Sequence, residues 1–497
     1  MFETLKTAFL EYLEQVALRL RPTGGGAGRL YVLRNPVVEL NTIVETLEQS
    51  ESFKRLMEGT QHEFPPKGVG IVNYWQYDIQ HFFRRTGSYE DIYGGQAINL
   101  DDLFQGYLAA LQRETVQVRC LAPINAVDFG MIPLDLGEFS IRKFSKAELD
   151  LIFENERRRL FYPLSVVDST RLEAYWCIDI TESIPRQTLG EQLAWDSTAS
   201  FAKEISVFPK AIESAVKKLA LYDWQRLLDD GPYPNSQDTW ELPIGWCRFE
   251  IPCVLVLSDD LLSAPHYAPQ VPEIDQEPKS VGEPGSDEVV WEPAYLSLSE
   301  DEAARFTAFI RRLNDVLSRL ITHPEWLFID IALGFLVKAF FSEGLQQLLW
   351  HISTLEALVG EKKEGLTDLL GRRVGCVIGK TKKERAKIQK RFKKLYDFRS
   401  DLVHGNRELL KEDRIHFGHL REARRIARES LVWFLKCLDQ IEGRFTEDPC
   451  VAGLPEREDV LASLDMKSDR RAKVQWLLGK LPEEFPHVPE WDDSSII

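Results

Sequence analysis

A proline- and acid-rich stretch, DDLLSAPHYAPQVPEIDQEPKSVGEPGSDE, separates two parts of this 497-residue chain that follow different hydrophobic periods. Before it, apolar residues alternate over short runs, as in TVQVRCLA (115–122), RLEAYWCIDI (171–180) and WCRFEIPCVLVL (246–257), the period of half-buried strands. After it, apolar residues recur every three or four positions, as in Phe306, Phe309, Ile310, Leu313, Val316, Leu317 and Leu320. No run of residues satisfies both periods, so the chain is expected to be α+β in its N-terminal region and all-α beyond it.

The expected organisation follows from these patterns. Residues 1–28 form a helix and a glycine-rich connector, 29–258 an α+β domain, and 259–295 an acidic, proline-rich linker or loop. Residues 296–445 form a helical domain, and 446–497 a proline-rich acidic tail with room for two short helices. Two capping boxes mark helix starts, Ser145-x-x-Glu148 and Ser299-x-x-Glu302. Further helices are expected near 326–341, 343–359, 366–378, 383–404 and 417–441.

No run is long and apolar enough for a membrane span, since the richest, Trp326–Phe341, carries Asp330 and Lys338. The first residues, MFETLKTAFLEYLEQ, are acidic where an export signal is basic. The cysteines are odd in number, at seven, and scattered, so a reducing cytoplasm is the expected setting. The net charge of −17 argues against a chain coated in nucleic acid, but residues 361–428 hold 21 Lys+Arg against 10 Asp+Glu. The densest part is Lys380–Lys394, which makes a polyanion such as RNA the expected partner of this segment. Its candidate contacts are Lys382, Lys383, Arg385, Lys387, Lys390, Arg391, Lys393 and Lys394.

Three charged residues fall on apolar helix faces. Glu356 lies in the stripe of Leu345, Leu348, Leu349, Ile352, Leu355 and Val359. Arg373 lies in that of Leu366, Leu369, Leu370, Val374 and Val377. Arg399 is bracketed by Ile388, Phe392, Leu395, Tyr396, Leu402 and Val403. A buried charge is costly without a partner, so Glu356 is expected to pair with Arg373 or with Arg399. His404 follows Arg399 by five positions, about 140° around the helix. The two share a site only if the helix ends at Gly405 or a second chain completes it; otherwise His404 is a last-turn histidine stabilised by the helix dipole.

LYDFRSDLVHG (395–405) resembles the Arg-x4-6-His signature of HEPN domains of the Apea-like branch. ISTLEALVG (352–360) is similar to that family's helix with a Glu in an apolar run, and HLREARRIARESLVWFLKCLDQI (419–441) to its closing helix. FGMIPLDLGEFSIRKFSKAEL (129–149) resembles a segment that precedes some Apea-like domains. The resemblance spans about residues 300–442. It implies a helical bundle that dimerises about a two-fold axis, and an endoribonuclease that needs no metal or other cofactor. In that reading Arg399 holds a phosphate and His404 is the general acid or base. Ser400 occupies a position the family usually gives to Asn, Asp or His, and Asp401 orients His404. Products would carry 2′,3′-cyclic phosphate ends. The resemblance also implies an association with phage defence or abortive infection, with the N-terminal region answering to a trigger. The alternative is a non-catalytic scaffold that binds RNA or protein, with Arg399 paired to Glu356.

Other motifs carry less. The glycines of RPTGGGAGR (21–29) lack the strand and helix of a phosphate loop, and GCVIGKT (375–381) is one residue short of one. His416 and His419 lack a third metal ligand. Cys247 and Cys253 read as core fillers on one strand face.

Overall fold

The structure is a computed structural model. It describes residues 6, 82–83, 85–88, 97–130, 133–152, 172–185, 208–224, 227, 249–251, 253–262, 266–269, 294–320, 323–342, 344–361, 366–379, 381–403, 417–447 and 456–465. The expected connector at 21–29, Cys247, His416 and His404 lie outside these residues, as does all of the expected N-terminal helix except Lys6, which is helical.

The α+β part begins with helix α1 (Leu100–Leu111), capped by the Asn99 side chain. Strands β1 (Thr115–Ile124), β2 (Ala126–Asp128), β3 (Leu134–Asp135) and β4 (Ser140–Arg142) follow, then helix α2 (Lys146–Ile152) and strand β5 (Trp176–Pro185). The Ser145–Glu148 box forms in full: Glu148 accepts from the Ser145 backbone N–H at 2.9 Å, and Ser145 Oγ accepts from the Glu148 N–H at 3.3 Å. Helix α3 (Lys210–Leu221) and strands β6 (Cys253–Ser258), β7 (His266–Pro269) and β8 (Ala294–Ser297) complete this part. Six strands form one sheet in the order β3-β4-β5-β1-β6-β7, antiparallel throughout, while β2 pairs with β8 in parallel.

Strand β7 falls in the segment whose composition read as linker or loop, and β8 begins at its end. The reason is positional: β7 is at the end of the described sheet order, and an edge strand tolerates prolines that a central strand could not.

The helical part comprises α4 (Glu300–Leu320), α5 (Phe328–Phe340), α6 (Gly344–Val359), α7 (Leu366–Ile378), α8 (Lys382–Val403), α9 (Phe417–Glu447) and α10 (Arg457–Leu464). The chain is thus α+β followed by helices. Among the described residues no helix is long and apolar enough to cross a membrane. At α4 only half of the expected capping box forms. Ser299 Oγ accepts from the Glu302 N–H at 3.3 Å, but the Glu302 carboxylate turns inward to the buried Tyr222 hydroxyl and to Arg305.

The two parts share one core. The β1 residues Val116, Val118, Cys120, Ala122 and Ile124 face a continuous apolar cluster that includes Phe306, Ile352, Phe392 and Leu431 from the helices. Leu121, on the opposite face, packs with Phe144, Leu149 and Leu255 beneath α2. Helix α3 joins the layers because it is apolar on more than one side: Ile212, Ala215, Val216, Leu219, Ala220 and Leu221 are all buried. The aromatic rings of Phe129, Trp176, Trp224, Tyr222 and Phe306 fill the junction edge to face. Asp223, just past α3, accepts from Arg428 of α9 at 2.6 Å.

Helices α7 and α8 approach closely at glycine. A Cβ at Gly375 would stand 2.8 Å from the Arg385 carbonyl oxygen, and one at Gly371 3.3 Å from the Gln389 side chain. The apparent phosphate loop at 375–381 is therefore a helix end: Gly375–Ile378 belong to α7, with Gly375 at the helix contact.

Candidate functional site

Helix α8 starts at a capping box with no apolar residue near it to announce it. Thr381 Oγ1 accepts from the Glu384 N–H at 3.2 Å, and Glu384 accepts from the Thr381 N–H at 3.1 Å. This start sets the rotation of the helix, so that Ile388, Phe392, Leu395 and Tyr396 are buried. Arg399 continues that face toward the C-terminal end, where cover thins: its side chain is 28% exposed, and Val403, expected in the apolar stripe, is 55% exposed.

Arg399 meets Glu356 of α6, with Nη2 3.8 Å from Oε1. The Tyr396 hydroxyl donates to the same carboxylate oxygen at 3.0 Å, and the guanidinium lies over the Tyr396 ring, 5.6 Å from its centre. Burial raises the Tyr396 pKa, and the adjacent Glu356 charge adds to that, so the phenol remains a donor. Arg399 Nε is buried and has no hydrogen-bond partner among the described residues. The expected pairing of Glu356 is thus with Arg399, at the outer limit of ion-pair distance. Ser400 is half-buried and Asp401 exposed in the last turn before His404.

Arg373, the other candidate partner, does not belong to this cluster. Its guanidinium is fully buried and uses four of its five N–H donors. Nε and Nη2 donate to Asp465 at 3.0 and 2.6 Å, Nη2 also to Glu361 at 3.0 Å, and Nη1 to the Val359 carbonyl at 2.7 Å. Asp465 closes α10, inside the stretch that read as a tail. Burial alone would raise the Asp465 carboxyl pKa, but Arg373 and Arg372 hold it below the usual carboxylate range. Arg457 of α10 donates to the Ala357 and Gly360 carbonyls at 3.0 and 2.7 Å, so two arginines cap the C-terminal end of α6. Sequence reasoning could not supply this partner, because Asp465 is 92 residues from Arg373.

The basic residues of α8 separate into two groups. Arg385 is half-buried and donates to the Gly379 carbonyl at 3.0 Å, Arg391 pairs with Glu422 at 3.1 Å, and Lys393 with Asp368 at 3.0 Å. Lys382, Lys383, Lys387, Lys390 and Lys394 are exposed, with no ion pair among the described residues.

One polar pair escaped the sequence reading. Gln347 and His351, one turn apart on α6, are fully buried, and their side-chain nitrogens and oxygen have no hydrogen-bond partner. Burial, with Arg424 nearby, lowers the His351 pKa to about 3, so its imidazole is neutral. Both residues lie beside Leu348 and Ile352 on the wheel, a signal that was available. His419 lies against the Phe398 ring, and among the described residues no cluster of His, Cys, Asp and Glu is arranged to hold a metal ion. A cavity of about 370 Å³ among α3, α4 and α5 is lined by Lys210, Glu213, Lys217 and Asp330 with several leucines; Lys217 is already paired with Glu213 and Asp330.

Comparison with models of protein families, with curated proteins and with solved structures returns no match to this chain.

Proposed function

We propose that the helical part is a HEPN-like bundle acting on RNA as a metal-independent endoribonuclease, with Arg399 and His404 as its catalytic pair. The observation that carries this reading is the state of Arg399. It is a cation on an otherwise apolar face, held by one carboxylate at 3.8 Å and partly open to solvent, at the helix end that leads into His404. A phosphate that displaced Glu356 would gain charge-assisted donors already positioned by the Tyr396 ring. His404 would take the proton of the ribose 2′-hydroxyl or give one to the leaving 5′-oxygen. The bond formed is 2′-O to phosphorus and the bond broken is phosphorus to 5′-O, leaving a 2′,3′-cyclic phosphate and a 5′-hydroxyl. Five positions along one straight helix would set the two residues about 140° apart, so in this reading a second copy of the chain supplies the missing half of the site.

The reading places the protein in the cytoplasm, where the buried thiols of Cys120, Cys177, Cys376 and Cys437 are at home. It gives the α+β part the role of sensing a trigger, in a defence or abortive-infection setting. A second reading, a non-catalytic RNA- or protein-binding scaffold, is favoured by one observation: Glu356 already receives both Arg399 and the Tyr396 hydroxyl.

Incubation of the full chain with RNA in EDTA, followed by end mapping, separates the two. Cleavage with cyclic-phosphate ends is expected, falling by roughly 100-fold or more in His404→Ala and in Arg399→Ala. Cleavage by His404→Ala at the parent rate would end the catalytic assignment, and intact RNA with every variant would leave the scaffold.

A further inference from the structure

The free lysines of α8 are not scattered over its surface. At 100° per residue, Lys383, Lys387, Lys390 and Lys394 fall within about 60° of one another. With a rise of 1.5 Å per residue they form a straight row about 16 Å long, with steps of roughly 4.5 to 6 Å. All four are exposed, and none has an ion pair among the described residues. Lys382 stands about 100° off the row. Several other cations of the bundle are matched to carboxylates: Arg425 lies between Glu422 and Glu429, Arg428 meets Asp223, and Arg312 and Arg319 share Asp439. A row left unmatched among the described residues of a chain of net charge −17 is open to a counter-charge from outside.

The row also has a direction and an end. Asp397 and Asp401, both exposed, continue the same line toward the C-terminus of α8, within about 40° of it. A polyanion following the lysines is repelled before it reaches the helix end. Arg399 sits about 160° around the helix from Lys383, on the face that carries Phe392 and Tyr396 into the core. The lysine row and Arg399 therefore cannot both touch one straight stretch of backbone.

We infer that Lys383, Lys387, Lys390 and Lys394 form a nucleic-acid docking track separate from the Arg399 face, which holds the sugar–phosphate backbone without reading bases. Spacing and charge favour a nucleic-acid backbone over an acidic protein segment: the lysines recur at intervals suited to successive phosphates, and no apolar residue lies within the row to anchor a side chain. The track deepens the RNA reading above by separating where RNA is held from where it is cut.

The test is fluorescence anisotropy on the full chain with a short 2′-O-methyl oligonucleotide, which lacks the 2′-hydroxyl needed for cleavage. Affinity is expected to fall with salt at a log–log slope of about −3, the value for four single-strand phosphate contacts. Changing all four lysines to glutamine should weaken binding by at least roughly tenfold and flatten the slope, while Lys146→Gln, at an exposed lysine of α2, leaves both unchanged. Equal binding by the four-lysine variant would overturn the track, as would the same loss of binding in Lys146→Gln. A probe that binds only after deletion of residues 270–293 would also overturn it, by showing that the chain's own acidic segment occupies the row. Binding as expected without cleavage of ordinary RNA would end the nuclease reading and leave the track standing.

Discussion

Two arginines, Arg373 and Arg399, both sit on apolar helix faces, yet the fold treats them in opposite ways. Arg373 is sealed, with two carboxylates and a helix-end carbonyl on every face of its guanidinium. Arg399 is 28% exposed and has one carboxylate at 3.8 Å. A fully buried cation already held by two carboxylates offers a ligand no access, so Arg373 serves to fasten α6, α7 and α10 together. A half-exposed cation with an unpartnered Nε keeps that capacity. Position on an apolar face therefore identifies a charge that needs a partner, and only the completeness of that partnership separates a clamp from a site.

The largest effect that could break this contrast is on stability. Arg373→Ala should cost about 3–5 kcal/mol, because it leaves the buried Asp465 with only the more exposed Arg372 and takes the donors from Glu361 and the Val359 carbonyl. Urea denaturation measures it, and a loss below about 1 kcal/mol would mean that the clamp is ornamental.

Acid sharpens the same contrast. His351 has a folded pKa near 3, below its usual 6.5, so the unfolded chain takes up a proton first and stability falls as pH drops below about 6.5. Asp465 is depressed below its usual 3.8, so its contribution is present above that value and is lost as pH falls through the lower folded value. Denaturant midpoints measured across this range should decline in two stages, and His351→Leu should remove the upper one. A flat midpoint from neutral pH down to about 4 would count against a neutral buried His351.

The smallest effect belongs to Arg399→Ala, which should cost under about 1 kcal/mol, in line with a partly exposed, loosely held pair. A loss matching that of Arg373→Ala, in the same urea measurement, would make Arg399 a second clamp and favour the scaffold reading.

Much of this was legible in the residues. The period change located the sheet and the helices, the Ser145 box placed α2, and wheel positions flagged Glu356, Arg373 and Arg399 as charges in need of partners. What was not legible has a common cause. β7 hid among prolines because edge position, which excuses them, is a property of the sheet. The partner of Arg373 hid in a stretch that composition marks as a tail, because Asp465 reaches it only through the docking of α10. The eight candidate RNA contacts on α8 looked equivalent until Asp368, Glu422 and the Gly379 carbonyl engaged three of them.

The sequence by itself determined which faces of each element are apolar, and so which charges the fold would have to accommodate, since helical and strand periods are local properties of the backbone. Only the tertiary structure decided which of those charges are satisfied. Pairing depends on distances between groups far apart along the chain, and those distances exist only once α3 has joined sheet to bundle and α10 has closed over Arg373.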